Sequence, residues 1–430
     1  MKVLIHGGRL VDPSQGIDDA CDLLVGDDGR VEKVGRPGQS LKAGKRTERF
    51  DATGMVVSPG LIDIHVHLRE PGEEYKETVE TGTRAAAAGG FTAVACMPNT
   101  RPVNDGPSVT EHILEQARRW GYARVYPIGA VSKGQKGEQL AEIGEMAAAG
   151  VVAVSDDGLP ISDPELMRRA LEYCRHYDLP LIQHAEDLGL TRDGVMHEGE
   201  WSTRLGLPGI PGAAEDVMVA RDLLLLEETG GRYHVAHLST ARSLELVRRA
   251  KAAGLRATCE VTPHHLLLTD REIAERGFST DCKMKPPLRS ESDREALFLG
   301  VVDGTVDVIA SDHAPHLADE KELQFSVAPF GIVGLESTLP LCLDRLVRPR
   351  AITLSRLVDL LSTAPARLLG IPGGSLAPGC VADVTAFSLD RQVTIRPDRF
   401  KSKGRSTPFD GWKLRGRPVA TFLAGRRVTV

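Results

Sequence analysis

Seven side chains of metal-ligand type stand where apolar runs end. His65 and His67 close the run 56–64, Asp156 and Asp157 follow 151–155, His184 follows 181–183, His237 follows 233–236, and Asp312 follows 306–310. Imidazole nitrogen and carboxylate oxygen together suit zinc, manganese or iron better than magnesium or calcium. Residues two apart on a strand point to the same side, so His65 and His67 can grip one ion together. As mere core filler, two such imidazoles would each need buried hydrogen-bond partners. One histidine at a strand end is more often structural or exposed than a ligand; the repetition at successive run ends asks for another explanation.

That explanation is an architecture. Eight strand-like runs follow one another at 56–64, 91–97, 125–130, 151–155, 181–183, 233–236, 256–261 and 306–310. Helical patterns lie between them, as at 77–88, 164–177, 214–228, 241–253 and 293–302, with Asp163 and Pro164 reading as an N-cap and a first-turn proline. Eight strand–helix units predict an α/β fold, a closed parallel TIM (β/α)8 barrel, whose catalytic face lies at the C-terminal ends of its strands. An open doubly wound sheet is the rival, but no glycine-rich phosphate loop follows the first strand. The ends of the chain read differently. Residues 1–54 and 371–430 carry short alternating runs broken by turns, and neither has enough strands for a stable sheet alone. They are expected to meet in one small β-domain, with the barrel, 55–370, between them; two separate β-arms are the alternative. The Gly-rich, polar stretch 188–212 reads as an insertion on the active-site side.

The segment Asp63-Ile-His-Val-His-Leu-Arg-Glu-Pro-Gly72 resembles the signature of dihydroorotases, within the amidohydrolase superfamily. Further segments resemble the same family in the same order. They are Met97-Pro-Asn-Thr-Arg-Pro102, Ser155-Asp-Asp-Gly158, His184-Ala-Glu186, His237-Leu-Ser-Thr240, Pro263-His-His265, Lys283-Met-Lys-Pro-Pro-Leu-Arg289, Ser311-Asp-His-Ala-Pro-His316 and Ala328-Pro-Phe-Gly-Ile-Val-Gly-Leu-Glu336. The likeness is to the bacterial class with an aspartate, rather than a carboxylated lysine, after the fourth strand.

The resemblance implies reversible cyclisation of N-carbamoyl-L-aspartate to L-dihydroorotate in pyrimidine biosynthesis. The attacking group would be a metal-activated hydroxide. It implies one or two zinc ions, with two expected: His65 and His67 on one, His184 and His237 on the other, Asp157 bridging, and Asp312 as ligand and acid/base. It assigns the substrate carboxylate to Arg69, Asn99 and His316, gives His67 a place beside the substrate, and sets the backbone of Phe330 and Gly331 against the ring amide. Spacing alone does not choose Asp157 over Asp156. Lys285 stands where the family usually has Asn; it reads either as a new contact to an anionic substrate or as a solvated loop charge. Arg69 has a rival reading, a salt bridge to Glu70 or Glu73. The resemblance also suggests a homodimer and a possible aspartate carbamoyltransferase partner. Two other readings remain: a hydantoinase- or allantoinase-type hydrolase, and a non-catalytic scaffold for that transferase.

The remaining signals are plainer. Residues 317–329 are polar and read as a mobile lid or an inert loop. Cys96 and Cys259 read as core filler, His264 and His265 as structural, His313 as a neighbour of the site, and His112, His176 and His197 as surface. The seven cysteines are scattered without a C-x-x-C pair, which fits a reducing compartment. A net charge of −6 and no basic stripe argue against nucleic acid. The N-terminus lacks the long apolar core of a signal peptide and no long apolar run is present, so a cytoplasmic protein without membrane contact is expected.

Overall fold

The computed structural model describes residues 2–36, 39–42 and 44–430; residues 1, 37, 38 and 43 of the expected N-terminal β-segment lie outside these. Eight parallel strands form its centre: β1 (Leu61–Val66), β2 (Phe91–Cys96), β3 (Arg124–Pro127), β4 (Val154–Ser155), β5 (Leu181–Gln183), β6 (Tyr233–Val235), β7 (Ala257–Val261) and β8 (Val308–Ile309). The first three pair in one sheet and the last five in another. Two bridges join these sheets: Gly129 pairs with Val154, and Val66 pairs with His313. The sheet therefore closes on itself as the expected barrel.

Alternation along the strands sorts the core into two layers. Ile62, Ile64, Ala93, Ala95, Ile182, Ala236 and Val308 fill one cluster, while Phe91, Val94, Val125, Leu181 and Val261 belong to the layer packed under the helices. Small alanines inside and larger residues outside fit a closed barrel of modest radius. The helices follow their local signals. Asp163 accepts hydrogen bonds from the backbone of Glu165 and Leu166 at the start of Pro164–His176. Thr78 and Thr81 form a capping box for Val79–Gly89, which ends on Gly90 at φ 93°. That left-handed conformation suits glycine.

The expected first strand, 56–64, is two strands. Val56–Pro59 belongs to a six-stranded sheet and β1 to the barrel. Gly60 divides them, and a side chain there would place Cβ 2.0 Å from Thr92 Oγ1. In the six-stranded sheet Val56–Pro59 lies between Arg9–Asp12, which it pairs in parallel, and the C-terminal Val384–Thr394, which it pairs antiparallel. Strands from both ends of the chain thus share one sheet, and Leu10, Val57, Val384 and Phe422 share one core. The C-terminal segment does not stay wholly there. Residues 402–406 return to the barrel mouth, where Ser402 Oγ bonds Glu77 and the Ser406 carbonyl accepts from Val333 N. Among the described residues no helix is long and apolar enough to cross a membrane.

Candidate active site

The pairing of β1 with β2 is irregular between Asp63 and Val66. Such an irregularity re-aims side chains, and here it sets His65 and His67 above Ile62 and Ile64. Asp63 braces the seam between β1 and β8, because its carboxylate accepts from the backbone of His65 and Ser311. His65 is fully buried, its Nδ1–H donating to Glu260 Oε1 on β7 at 2.5 Å. Glu260 also lies 3.2 Å from His234 Nε2 and accepts from His237 N. His67 Nδ1–H donates to Asn99 Oδ1 at 2.9 Å. Both Nε2 atoms turn to the same point, toward Asp157 and Asp312.

Asp157 is the centre of that point. Its Oδ1 lies 3.3 Å from His65 Nε2, 3.7 Å from His184 Nδ1 and 3.5 Å from His237 Nε2, and its Oδ2 lies 3.5 Å from His67 Nε2. Asp312 Oδ1 stands 3.5 and 3.4 Å from the Nε2 atoms of His65 and His67. Burial alone would raise the Asp157 pKa; His65, His184 and His237 outweigh it and hold the carboxylate ionised. Asp156 turns away instead, accepting from the backbone of Val131 and Ser132. Geometry therefore separates two adjacent aspartates that spacing did not.

This arrangement fits a cation. His65, Asp157 and His237 form one group, and His65, His67 and Asp312 another, with ligand atoms in each within 4.8 Å of one another. Among the described residues, His65 Nε2 and Asp157 Oδ1 are buried without a hydrogen-bond partner. Buried polar atoms are rarely left so, and a metal ion among them would satisfy both.

Three of the site's residues hold left-handed backbone: Arg69 at φ 61°, His237 at 31° and Asp312 at 48°. Each such conformation costs about 1–3 kcal/mol and persists where the surroundings over-determine it, often at functional sites. A cavity of about 400 Å³ opens over the cluster. His67, Asp157, His184, His237 and Asp312 form its floor, and Arg69, Asn99, Lys285, His316, Phe330 and Gly331 its walls. Of the residues the sequence singled out for the site, only His65 lies beneath that surface.

Arg69 is buried with Nε donating to Pro315 O at 3.3 Å and Nη2 3.4 Å from His316. Its rival reading fails, since Glu70 caps Val79 N and Glu73 pairs with Lys76. His316 Nε2–H donates to Phe330 O at 2.8 Å, and burial beside Arg69 and Lys76 pushes its pKa down to about 3. Gly331 is at φ 133°, and a Cβ there would meet Ala314 O at 2.8 Å. Lys285 fits neither of its expected descriptions alone. It lines the cavity, but its ammonium sits 2.9 Å from Glu186 Oε2 and 5.4 Å from the Phe330 ring centre. Its charge is thus largely matched within the protein. Lys285→Met should raise KM for an anionic substrate about fivefold with kcat little changed, because it removes a cation from the cavity wall and leaves Glu186 only His184 and Thr191 as partners among the described residues. Steady-state kinetics checks this; an unchanged KM would leave Lys285 without a role in binding.

Elsewhere the structure adjusts the reading. His197 is half-buried rather than a surface residue, with Nδ1 3.3 Å from Arg289 Nη1. His264 and His265 lie on a helical turn, Pro263–Leu267, and both are buried. His265 bonds Thr262 and Pro286 O, while His264 Nε2 has no hydrogen-bond partner among the described residues. His313 faces Glu77, outside the cavity. Burial pushes the Cys96 thiol up to about 12, and Cys259 is buried likewise, so neither is a nucleophile. Glu260 and Glu186 went unassigned in the sequence; a lone carboxylate in the apolar run 256–261 was the available signal for Glu260.

Comparison with known proteins places the chain in a family. A family model described as Dihydro-orotase-like matches residues 54–243. The dihydroorotase of Syntrophotalea carbinolica is 54% identical over 426 residues, covering 99% of this chain and 98% of that protein. The chain belongs to the dihydroorotase family. The Geobacter metallireducens dihydroorotase is 51% identical over 428 residues, covering 100% and 99%. Among solved structures, the L-hydantoinase (dihydropyrimidinase) from Arthrobacter aurescens is similar to this dihydroorotase-family chain, with a TM-score of 0.88, 25% identity, and 99% and 96% coverage.

Proposed function

We propose that this cyclic amidohydrolase is a zinc-dependent dihydroorotase that interconverts L-dihydroorotate and N-carbamoyl-L-aspartate. The observation that carries the reading is the Arg69–His316 wall standing across one cavity from the His–Asp cluster. A buried guanidinium offers a planar fork for a carboxylate, and a neutral hydantoin or dihydrouracil has no carboxylate to use it.

His65, His67, His184, His237, Asp157 and Asp312 would hold the metal. Bound there, a divalent cation supplies Lewis acidity to the ring amide carbonyl and to the attacking water. Asp312 takes a proton from that water and passes it to the ring nitrogen as the C–N bond breaks. Arg69 and Asn99 hold the substrate carboxylate, and His316, whose Nε2–H is engaged by Phe330 O, borders it, so the ring enters in one orientation. The Phe330–Gly331 backbone borders the ring, and Glu260 fixes the His65 tautomer that leaves Nε2 as a ligand.

A ring-substrate panel tests the assignment. Metal-loaded protein should favour L-dihydroorotate over hydantoin and dihydrouracil by at least about 10³ in kcat/KM, as expected for a site built around a hydrogen-bonded group the analogues lack. Equal or greater activity on the neutral rings would transfer the chain to hydantoinase-type chemistry. The partner to His65 offers a second check. Glu260→Gln should weaken zinc affinity about 10- to 100-fold, read by competition with a chromogenic chelator; unchanged affinity would remove Glu260 from the metal's support. Homodimerisation and an aspartate carbamoyltransferase partner belong to this proposal and rest on the family alone; a cytoplasmic location belongs to it and rests on the scattered cysteines and the N-terminal sequence.

A further inference from the structure

The loop after β8 contains a lysine that has no reason to be buried unless its charge is used. Lys321, on the short helix Ala318–Lys321, is only 7% exposed. Its ammonium donates to Gly331 O at 2.8 Å, to Pro329 O at 3.0 Å and, more weakly, to Lys283 O at 3.4 Å. Those are three acceptors for three N–H groups, which is the full capacity of an ammonium. Two of the three flank Phe330, and the Phe330 carbonyl itself is taken by His316 Nε2. Side chains therefore hold the carbonyls of three successive residues on the cavity wall. The other face is held by Lys283: its carbonyl accepts from Gly331 N at 2.9 Å and its ammonium lies 4.7 Å from the Phe330 ring centre. No acceptor within the described residues takes the Phe330 N–H.

We infer that Lys321 is a positioning residue for substrate. It acts through the 329–331 backbone, which it pins so that the Phe330 peptide stays presented to the ring amide. The inference rests on the dihydroorotase reading and adds to it. It also replaces the mobile-lid expectation for 317–329 with a latched segment. Glu320, next to Lys321, ties the same helix down by accepting from Leu317 N at 3.1 Å, with His316 Nδ1 3.3 Å away. A buried ammonium is costly unless all its donors are used, so its retention here is better explained by what it fixes than by stability.

Lys321→Met keeps the aliphatic stem and removes the donors. In the zinc-loaded enzyme it should speed amide hydrogen exchange in a peptide spanning 325–335 by about tenfold or more, with exchange elsewhere unchanged. It should raise KM for L-dihydroorotate about tenfold, the equivalent of one lost hydrogen bond, while kcat stays within threefold and zinc content is equal. Lys321→Gln, which returns two donors, should fall between wild type and the methionine variant in both readouts, and serves if the methionine variant does not fold. Unchanged exchange in the 325–335 peptide would overturn the latch. Faster exchange with an unchanged KM would overturn its link to substrate. A parallel fall in kcat, stability and zinc content would mark a merely structural lysine. Wild-type protein inactive on L-dihydroorotate would instead sink the dihydroorotase reading, and the exchange result would still decide the latch.

Discussion

Asp312→Asn lowers kcat for L-dihydroorotate hydrolysis by about 10²–10⁴, the range that a positioned general acid/base contributes. The substitution preserves size and the oxygen near His65 and His67, but an amide cannot take a proton. Burial would otherwise raise the Asp312 pKa; His65, His67 and His237 overcome it and hold the group well below the usual carboxylate range. The aspartate therefore stands ionised at neutral pH, the form a proton acceptor needs. Because Asp312 also lies among the ligand-type atoms, zinc content must be measured on the same sample. A kcat within threefold of wild type at equal zinc would remove Asp312 as proton carrier. A loss that tracks zinc content alone would leave it only a ligand.

Arg69→Met has the second large effect, on binding rather than on chemistry. Truncating one partner of a buried, charged hydrogen-bonded pair costs about 2–5 kcal/mol, so KM should rise by about 30- to 4000-fold. Arg69→Lys should rescue little, because an ammonium lacks the planar fork and because the backbone at φ 61° already fixes where the side chain begins. The same variant should leave any residual activity on a neutral ring substrate unaltered. Initial-rate kinetics on both substrates gives the answer, and an unchanged KM for L-dihydroorotate would move the carboxylate away from Arg69.

The sequence made the barrel legible because each strand is short, apolar and followed by chemistry at its end. His65, His184, His237 and Asp312 announced themselves by their position at the ends of apolar runs. Other features depend on contacts between distant segments. The break at Gly60 comes from the approach of Thr92, which no local pattern encodes. Asp156 and Asp157 differ only in which partner reaches them, Ser132 or the histidines. Lys285 cannot be read without Glu186 beside it, nor Lys321 without the carbonyls of Pro329 and Gly331. Residues 402–406 look like part of the β-domain in sequence, yet they cover His313 and Glu77 at the barrel mouth. Periodicity reports which face of an element is buried; it is silent on what covers that face.

The most direct test of the account is to follow L-dihydroorotate hydrolysis through removal and return of zinc. The protein is assayed as zinc-loaded enzyme, after stripping by a chelator, and after reloading, with metal content determined at each stage. Hydrolysis that is present, lost and restored in step with zinc is the predicted result. Fully zinc-loaded protein that leaves L-dihydroorotate unchanged, or hydrolysis that survives stripping, would contradict it.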